Sequence, residues 1–356
     1  MSKWTVLLGA VVATVILYKV NIQEITLVDV MKYVVVNNIK KPVIKDQSLS
    51  IMAFGDVMLG RYVRVIMDQN GLYYPFEKIK DPANLFTEGA NVVFGNLEGP
   101  VDGEGTKGGT SMVFSFGEDI GPILKKFGFT LLSIANNHAL DQGRQGREDT
   151  IKTLGENGLG WCGDANEPDP ESVYYGTVGN KNFAFICLHS AVHKLGLEET
   201  INLIKSVREN VDYLIVSIHW GIEYQHTANY AMQVKPAHAF VDAGADLVIG
   251  HHPHVVQNFE IYKGKMIFYS LGNFVFDQYW SDDTQQELAI GAVLDHATPD
   301  KSLHTKIYLF PMQSEKSQPR IMSEDEKADW LPKFIGYGSY DENTQQEIRN
   351  GVIEIP

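Results

Sequence analysis

The sequence predicts an α/β protein with a largely parallel sheet, on three observations. Five apolar runs have the length of buried strands, and they span residues 50–54, 91–94, 130–134, 213–218 and 246–249. Helix-like stretches alternate with these runs, at 62–69, 119–127, 144–156, 198–209 and 230–243. A short polar cluster follows each run directly. Because the carboxyl ends of parallel strands share one edge of a sheet, we expect a binding site there.

The amino terminus carries an uncharged apolar segment at residues 4–18, between Lys3 and Lys19. As a helix it would span about 22 Å, short of the ~30 Å hydrocarbon core, and snorkelling of the two lysines could close the gap. We predict a single-pass membrane anchor at 1–19 and a stalk at 20–49. A cleaved signal peptide is the alternative, although no small-x-small cleavage site follows the apolar run.

The pattern changes after residue 250. Strand-like runs follow one another without helices of similar length, at 259–262, 266–271, 288–294 and 304–310. The link at 263–265 indicates a hairpin. We therefore predict a main domain at 50–280 and, at 281–356, strands that complete a second, more antiparallel sheet. A polar, acidic tail with an amphipathic helix at 328–335 is expected to end the chain.

Composition excludes several classes of protein. The formal net charge of −14 argues against nucleic acid as a partner. It also disfavours a polyanionic ligand unless a metal or a local basic cluster offsets the charge. Cys162 and Cys187 are the only cysteines, so we expect two buried free thiols and neither a disulfide framework nor a thiolate zinc site.

The polar clusters after the first three apolar runs offer oxygen ligands and one imidazole. Asp56 follows the first run, and a carboxylate there is either a metal ligand or a helix cap. Asn96 and Glu98 lie on the same side of an extended chain and could reach one ion. Asn137 offers a neutral amide oxygen, and the adjacent His138 suits protonation of a leaving group.

The clusters after the last two runs supply imidazoles. His219 ends its run, and a lone histidine there is an ordinary structural feature unless other ligands lie near. In the cluster at 251–254, His252 and His254 face the same way if the segment is extended, which Pro253 favours. His251 then points elsewhere and is expected to pack or to support a ligand. Imidazole is the commonest metal ligand, so this cluster predicts metal binding.

The order of these ligands resembles that of the calcineurin-like metallophosphoesterase superfamily, and the longer motifs resemble the capsule-synthesis CapA family. Those motifs are GDVMLGR at 55–61, GNLEG at 95–99, ANNHALD at 135–141, HWG at 219–221, HPHVVQ at 252–257 and YSLGNFVFD at 269–277. The resemblance implies a four-layer αββα sandwich of metallophosphoesterase type and one or two divalent ions, with Mn, Fe, Zn and Mg not distinguished. It also implies a cell-membrane protein with an extracytoplasmic domain that acts in synthesis of a poly-γ-glutamate-type capsule.

Two positions depart from the superfamily pattern. Met58 stands where a histidine is usual, and a thioether is a poor ligand for hard ions. Asn96 stands where a bridging aspartate is usual, so Glu98 is expected to supply the negative charge. These differences leave open whether one metal or two are bound.

Three functions therefore fit the sequence. The first is a metal-dependent hydrolase or transferase of capsule synthesis, in which His138 is catalytic and Arg61 and Asn273 contact substrate. The second is a non-catalytic scaffold that binds the anionic polymer or other capsule-synthesis proteins. The third is a general metal-dependent phosphoesterase.

Overall fold

The computed structural model describes residues 48–79, 89–103, 112–164, 168–295 and 303–355. The predicted anchor at 1–19, and the predicted stalk up to residue 47, lie outside the described residues. No helix within these ranges is both long and apolar enough to cross a membrane.

The helices agree closely with the sequence pattern. They are α1 (Arg61–Asn70), α2 (Ile120–Phe127), α3 (Gly143–Glu156), α4 (Leu197–Arg208), α5 (Lys235–Ala243), α6 (Glu324–Gly336) and α7 (Glu342–Asn350). Gly128 ends α2 with φ of +118°, a left-handed conformation that glycine adopts without steric cost. A π-helical turn, Tyr230–Val234, precedes α5 and accounts for the start of the predicted helix at 230.

Sheet A contains the first strands and, unexpectedly, the last ones. Its members are β1 (Leu49–Val57), β2 (Val92–Leu97), β3 (Leu131–Ser133), β4 (Gly160–Cys162), β11 (Asn273–Val275), β12 (Gln286–Asp295), β13 (His304–Glu315), β14 (Gln318–Ile321) and β15 (Val352–Ile355). The order is β14-β13-β12-β1-β2-β3-β4, with β11 beside β1 and β15 beside β13. Strands β1 to β4 are parallel, whereas β12 and β13 are antiparallel additions.

Sheet B lies on the other side of the core. Its members are β5 (Val173–Val178), β6 (Lys181–His189), β7 (Tyr213–His219), β8 (Leu247–His251), β9 (Phe259–Tyr262) and β10 (Lys265–Phe268). The order is β5-β6-β7-β8-β10-β9, and β6, β7, β8 and β10 are parallel. Strands β9 and β10 form the predicted hairpin.

The strands are therefore divided between sheets differently from our expectation. We predicted that strands in 281–356 complete the second sheet, but β12 pairs with β1 from Leu49↔Leu294 to Ala53↔Ile290 and so extends sheet A. The partner of β12 could not be predicted, because strand pairing depends on contacts distant in sequence. The acidic tail is ordered as well: α6 contains the predicted helix at 328–335 and buries Trp330 and Phe334.

Three apolar cores produce four layers. One core lies between the sheets and includes Phe94 of sheet A and Phe185 of sheet B, whose rings stack at 5.1 Å. A second core joins the outer face of sheet A to α1 and α2. A third joins the outer face of sheet B to α4 and α5. Since both faces of each sheet are covered, strands such as β1 are buried along their whole length. The prediction of an α/β fold that contains two sheets is confirmed.

The two cysteines form a disulfide in the core between the sheets. Cys162 ends β4 in sheet A, Cys187 lies in β6 of sheet B, and their Cα atoms are 5.4 Å apart. The prediction of two free thiols was therefore wrong. The thiols are distant in sequence and on different sheets, so nothing in the spacing of two cysteines indicated that they meet.

Candidate metal centre

The predicted ligands lie where both sheets present the carboxyl ends of their parallel strands. Asp56 and Asn96 lie on neighbouring strands of sheet A, in register with one another. His219 ends β7 and is in register with His251 at the end of β8 in sheet B. The other predicted ligands lie in the loops that follow these strands, and they are Glu98, Asn137, His252 and His254. The site is therefore built between two sheets, not along the edge of one.

A glycine precedes the first ligand because the backbone there is crowded. A Cβ atom on Gly55 would lie 2.0 Å from the carbonyl oxygen of Gly272. That close approach allows the backbone N–H of Asp56 to donate to the same carbonyl, at 3.0 Å. Only glycine tolerates such a contact, so Gly55 fixes where the carboxylate of Asp56 lies.

Asp56 is the centre of the hydrogen-bond network. Its side chain is fully buried, with Oδ1 accepting from Nδ2 of Asn96 at 2.8 Å and Oδ2 accepting from the backbone N–H of His252 at 3.2 Å. Nδ1 of His251 lies 3.4 Å from Oδ1, and Nδ1 of His254 lies 3.7 Å from Oδ2. Burial raises the pKa of Asp56, but His251, His254 and Asn96 outweigh it, and the pKa is lowered overall. The residue is therefore a carboxylate in the folded protein.

Three ligand atoms converge around His219. Its Nε2 lies 2.7 Å from Oδ1 of Asn137 and 3.1 Å from Nδ1 of His252. Ligands about 2 Å from a divalent ion lie roughly 3 Å from one another, so these spacings suit a shared cation. Burial and the neighbouring histidines lower the pKa of His219, and they lower that of His252 to about 3. Both imidazoles are thus neutral, the form that binds metal.

Glu98 provides the strongest indication of a cation-binding site. It is 0% exposed, and neither carboxylate oxygen has a hydrogen-bond partner among the described residues. Its Oε1 lies 3.8 Å from Nε2 of His138 and 3.8 Å from Nε2 of His254. Burial, and then the charges of Asp56 and Glu223, raise the pKa of Glu98 well above its usual value. A buried carboxylate without a partner is costly, and a bound cation would satisfy it.

His138 is held with one nitrogen facing the cluster. Its Nδ1 lies 2.7 Å from Oδ2 of Asp141, and its ring stacks on Phe114 at 3.8 Å. Oδ2 of Asp141 also accepts from the backbone N–H of Phe114, at 2.6 Å. The imidazole is fixed from two sides, and its Nε2 faces Glu98. This arrangement is suited to proton transfer at the rim of the centre.

The amides of Asn96, a predicted metal ligand, and Asn273, a predicted substrate contact, make hydrogen bonds to neighbouring groups. Asn96 donates to Asp56, and its oxygen accepts from Nδ2 of Asn136 at 3.4 Å, so its amide is turned to neighbouring side chains. Asn273 was expected to bind substrate. However, its Oδ1 contacts Nδ1 of His254 at 2.9 Å, and its Nδ2 donates to Gln278 and to the carbonyl of Thr284. Because its amide makes these hydrogen bonds, Asn273 orients the ring of His254 so that Nε2 of that ring can bind a metal ion.

Arg61, the other predicted substrate contact, lies beside the site in an ion pair with Asp277. Its guanidinium is 4.8 Å from the centre of the Phe114 ring, which also packs on His138. The charge of Arg61 lowers the pKa of Glu98 and opposes the effect of burial, which is the larger one. Arg61 is thus close to the centre but already engaged with a carboxylate.

Sequence reasoning missed two residues that the fold brings to the centre. A carboxylate oxygen of Glu223 and a ring nitrogen from each of His252 and His254 all lie within 4.8 Å of one another. His189 ends β6 in register with His219, and their rings are 6.0 Å apart. Each was recognisable only as a polar residue at or just after a strand. No run of imidazoles or amides marked either one.

Comparisons with known proteins agree with the motifs. The family model described as "Bacterial capsule synthesis protein PGA_cap" matches residues 50–278. "Capsule biosynthesis protein CapA" of Bacillus anthracis is 34% identical over 71% of this chain and 66% of its own length. "PGA biosynthesis protein CapA" of Bacillus subtilis (strain 168) is 34% identical over 66% of this chain and 65% of its own length. The match thus covers slightly less than two thirds of each relative.

Among solved structures, a protein described as a novel phosphatase from Mycoplasma pneumoniae has a TM-score of 0.48 and 16% identity. The match covers 77% of this chain and 97% of the chain in that structure.

Proposed function

Since the chain belongs to the PGA_cap family of bacterial capsule synthesis proteins, we propose that it is a metal-dependent hydrolase of capsule synthesis. Its fold and site are then of metallophosphoesterase type, and its substrate is a phosphoester or amide formed during synthesis of a poly-γ-glutamate-type polymer. Support comes from the family membership and from the convergence of carboxylates and neutral imidazoles between the two sheets.

One observation carries the metal-binding part of this proposal: Glu98 is completely buried and has no hydrogen-bond partner among the described residues. Asp56, Glu98, Asn137, His219, His252 and His254 are the residues that would hold the ion. When bound, a divalent ion would polarise the scissile group and lower the pKa of a water molecule. It would also offset part of the negative charge that otherwise repels an anionic polymer.

The protein's own contribution to the reaction is positional and acid–base. Asp141 holds Nδ1 of His138, which leaves Nε2 to deliver a proton to a leaving oxygen or nitrogen. Phe114 stacks on that ring and so fixes its plane. The guanidinium of Arg61 packs against the same phenylalanine ring. Arg61 lies beside the site and would bind a carboxylate of the substrate in place of Asp277.

The location of the protein is also a proposal. We place the domain outside the cytoplasm, held at the cell membrane by the apolar segment at 4–18. The Cys162–Cys187 disulfide supports this placement, because disulfides persist in oxidising compartments and are rare in the cytosol. Its partners would then be the membrane, the anionic polymer and other capsule-synthesis proteins, with no role for nucleic acid.

His138→Ala tests the catalytic role. The full-length protein is assayed with manganese against a simple phosphodiester and against poly-γ-glutamate, with bound metal measured in parallel. We expect unchanged metal content and turnover lowered by roughly 10²–10⁴, the usual contribution of a general acid. His304→Ala is the matched control, because His304 on β13 pairs with Asp295 of β12, at the end of sheet A where β1 begins and away from Asp56.

Three outcomes separate the functions. Turnover of the polymer that depends on His138 supports the proposal. Turnover of the phosphodiester alone favours a general phosphoesterase. If the wild type turns over neither substrate while still binding polymer, the protein is a scaffold and the hydrolase proposal is wrong.

A further inference from the structure

A cleft outside the ligand cluster is lined by basic and apolar side chains. Its volume is about 440 Å³, within the range of about 300–1,000 Å³ that is usual for ligand pockets. One wall is the loop from β6 into the start of α4, at 190–197. The other wall is the π-helical turn and the first residues of α5, at 231–236. The cleft is therefore large enough to hold a short segment of a chain molecule.

The titratable side chains that line this cleft, among the residues that the structure describes, are all basic. Lys194 and Lys235 are exposed, and neither side chain forms an ion pair or a hydrogen bond with another described residue. His193 lines the same cleft. The chain as a whole has 44 acidic and 30 basic residues. The cleft is thus a local basic cluster of the kind that an acidic protein needs in order to attract an anionic ligand.

Apolar side chains form much of the remaining surface of the cleft. Val192 is 63% exposed and Met232 is 36% exposed, and Leu195, Leu197 and Pro236 lie beside them. A ligand that combines carboxylates with methylene groups would cover these side chains and pair with the lysines. A γ-linked glutamate chain has this character, since each residue carries a free carboxylate and contributes methylene groups to the backbone.

Hydrogen bonds fix the wall that the π-helical turn forms. Oδ1 of Asn229 accepts from the backbone N–H groups of Ala231 and Met232, at 3.0 and 3.1 Å. Gln233 is fully buried, and its Nε2 donates to Oε1 of Gln257 at 2.7 Å. Turns of this type are rare and are frequently found at functional sites. This wall of the cleft is therefore formed before a ligand binds.

Two histidines connect the cleft to the metal centre. The ring of His193 is 5.4 Å from the ring of His189, which is in turn 6.0 Å from the ring of His219. The loop that forms the first wall also begins at the centre, because the backbone N–H of Ser190 donates to the carbonyl of His219 at 2.9 Å. A chain bound in the cleft would thus lie close to a proposed metal ligand.

We propose that this cleft binds a segment of an acidic polymer next to the part of the polymer that reacts at the centre. Lys194 and Lys235 would pair with carboxylates, while Val192 and Met232 would pack on methylene groups. The inference rests on the proposed function and adds to it a substrate subsite and the residues that select an anionic chain. Ammonium groups on flexible stems suit carboxylates whose positions vary along a flexible polymer.

Binding of a fluorescently labelled poly-γ-glutamate oligomer to the full-length protein, measured by anisotropy, tests the inference without an activity assay. Lys194→Gln/Lys235→Gln should weaken binding by about 10-fold at low salt, since each exposed ion pair contributes only modestly to affinity. The difference from the wild type should shrink at high salt, because salt screens exposed charges.

Two further double variants separate the cleft from the general charge of the protein. Lys152→Gln/Lys205→Gln removes the same charge from exposed positions of α3 and α4 that do not line the cleft. It should bind within about 2-fold of the wild type, because distant exposed charges are screened. Lys194→Arg/Lys235→Arg keeps both charges and should stay within about 3-fold of the wild type. Thermal unfolding checks that every variant is folded.

The outcomes distinguish this inference from the proposed function. Equal affinity of Lys194→Gln/Lys235→Gln and the wild type for the polymer would overturn the inference and leave the proposed function standing. A wild type that binds no polymer would also overturn it, and the turnover assay with His138→Ala then decides the proposed function separately. Vesicles of phosphatidylglycerol and phosphatidylcholine test the other occupant. If the glutamine variant loses affinity for these vesicles and not for the polymer, the cleft faces an anionic membrane and the inference is wrong.

Discussion

At the scale of single residues, the site separates groups that would hold metal from groups that hold those ligands in place. Within the part of the chain that the structure describes, Glu98 has no hydrogen-bond partner, whereas the amides of Asn96 and Asn273 contact Asp56 and His254. A neutral amide that already makes hydrogen bonds gains little from an ion. A buried unpaired carboxylate gains a great deal. Charge and hydrogen-bond occupancy together therefore decide which polar residue is the ligand.

This distinction predicts different consequences for two neighbouring substitutions. Glu98→Gln should weaken metal binding far more than Asn96→Ala. For Asn96→Ala we expect metal affinity to fall by about 10–100-fold, which is typical when a residue that supports a metal ligand is replaced. In chelator, Glu98→Gln should unfold at a higher temperature than the wild type, because the variant lacks a buried carboxyl group whose ionisation is opposed by burial and by neighbouring carboxylates, which raise its pKa. Calorimetric titration and thermal unfolding measure the two effects. Equal metal affinity in both variants would contradict the assignment of Glu98.

A second buried carboxylate, Glu287 on β12, gives a pH prediction. Neither of its oxygens has a hydrogen-bond partner among the described residues, and burial raises its pKa well above the usual value. The folded protein keeps the proton that the unfolded chain releases above about pH 4.3, so stability falls as pH rises from there towards the folded pKa. Glu287→Gln should remove this loss and be more stable than the wild type by about 1–3 kcal/mol at neutral pH.

Urea unfolding at several pH values, with chelator present throughout, measures this effect. The gain from Glu287→Gln should shrink as the pH approaches that of an ordinary glutamate. A constant difference between variant and wild type across the range would mean that Glu287 is not protonated in the folded state.

At the scale of elements, the strands bring the ligands together and the disulfide ties the strands. β4 is short, at Gly160–Cys162, and pairs only with β3 within sheet A. Its cysteine crosses the core to β6, the strand next to the edge strand β5 in sheet B. The disulfide therefore joins the two sheets near β6, which ends at His189, and near β3, which is followed by the loop of His138. The same core contains apolar contacts between the two sheets, such as the stacked rings of Phe94 and Phe185.

Removing this link should destabilise the domain. We expect Cys162→Ala/Cys187→Ala to lose about 2–5 kcal/mol in the free energy of unfolding, the usual cost of deleting a native disulfide. Denaturant unfolding measures the loss, and the wild type in strong reductant should match the variant. If reductant changes nothing and the variant is as stable as the wild type, the bond does not join the sheets in solution.

At the scale of the whole molecule, charge and location bear on function together. The chain has a net charge of −14, and its proposed substrate is an anionic polymer. Local positive charge, and not the general surface, would therefore govern attraction of the polymer. A domain outside the cell would meet that polymer directly.

Protease added to intact cells tests the proposed location. The domain should be digested outside the membrane, while a cytoplasmic marker protein survives until the cells are permeabilised. We expect loss of nearly all full-length protein under conditions in which that marker is intact. Protection of the domain until permeabilisation would place it in the cytoplasm, without access to an external polymer.

Much of the fold followed from local patterns. The apolar runs at 50–54 and 213–218 became the cores of β1 and β7, and the helix at 119–127 became α2 with Gly128 at its end. These features depend on side-chain periodicity and on the conformational freedom of single residues. Both are properties of short stretches of sequence, so they could be predicted without the tertiary structure. The ligands Asp56, Glu98 and His252 could be predicted for the same reason, since each follows a recognisable strand.

The sequence by itself thus determined the elements, the family motifs and most of the side chains proposed to bind metal. Tertiary structure alone decided that the strands divide between two sheets, that Cys162 meets Cys187, and that Glu223 joins the histidine cluster. It also turned the amides of Asn96 and Asn273 towards other side chains. Each of these results depends on contacts between segments far apart in the chain, and their free energy arises from packing and burial that no local pattern encodes.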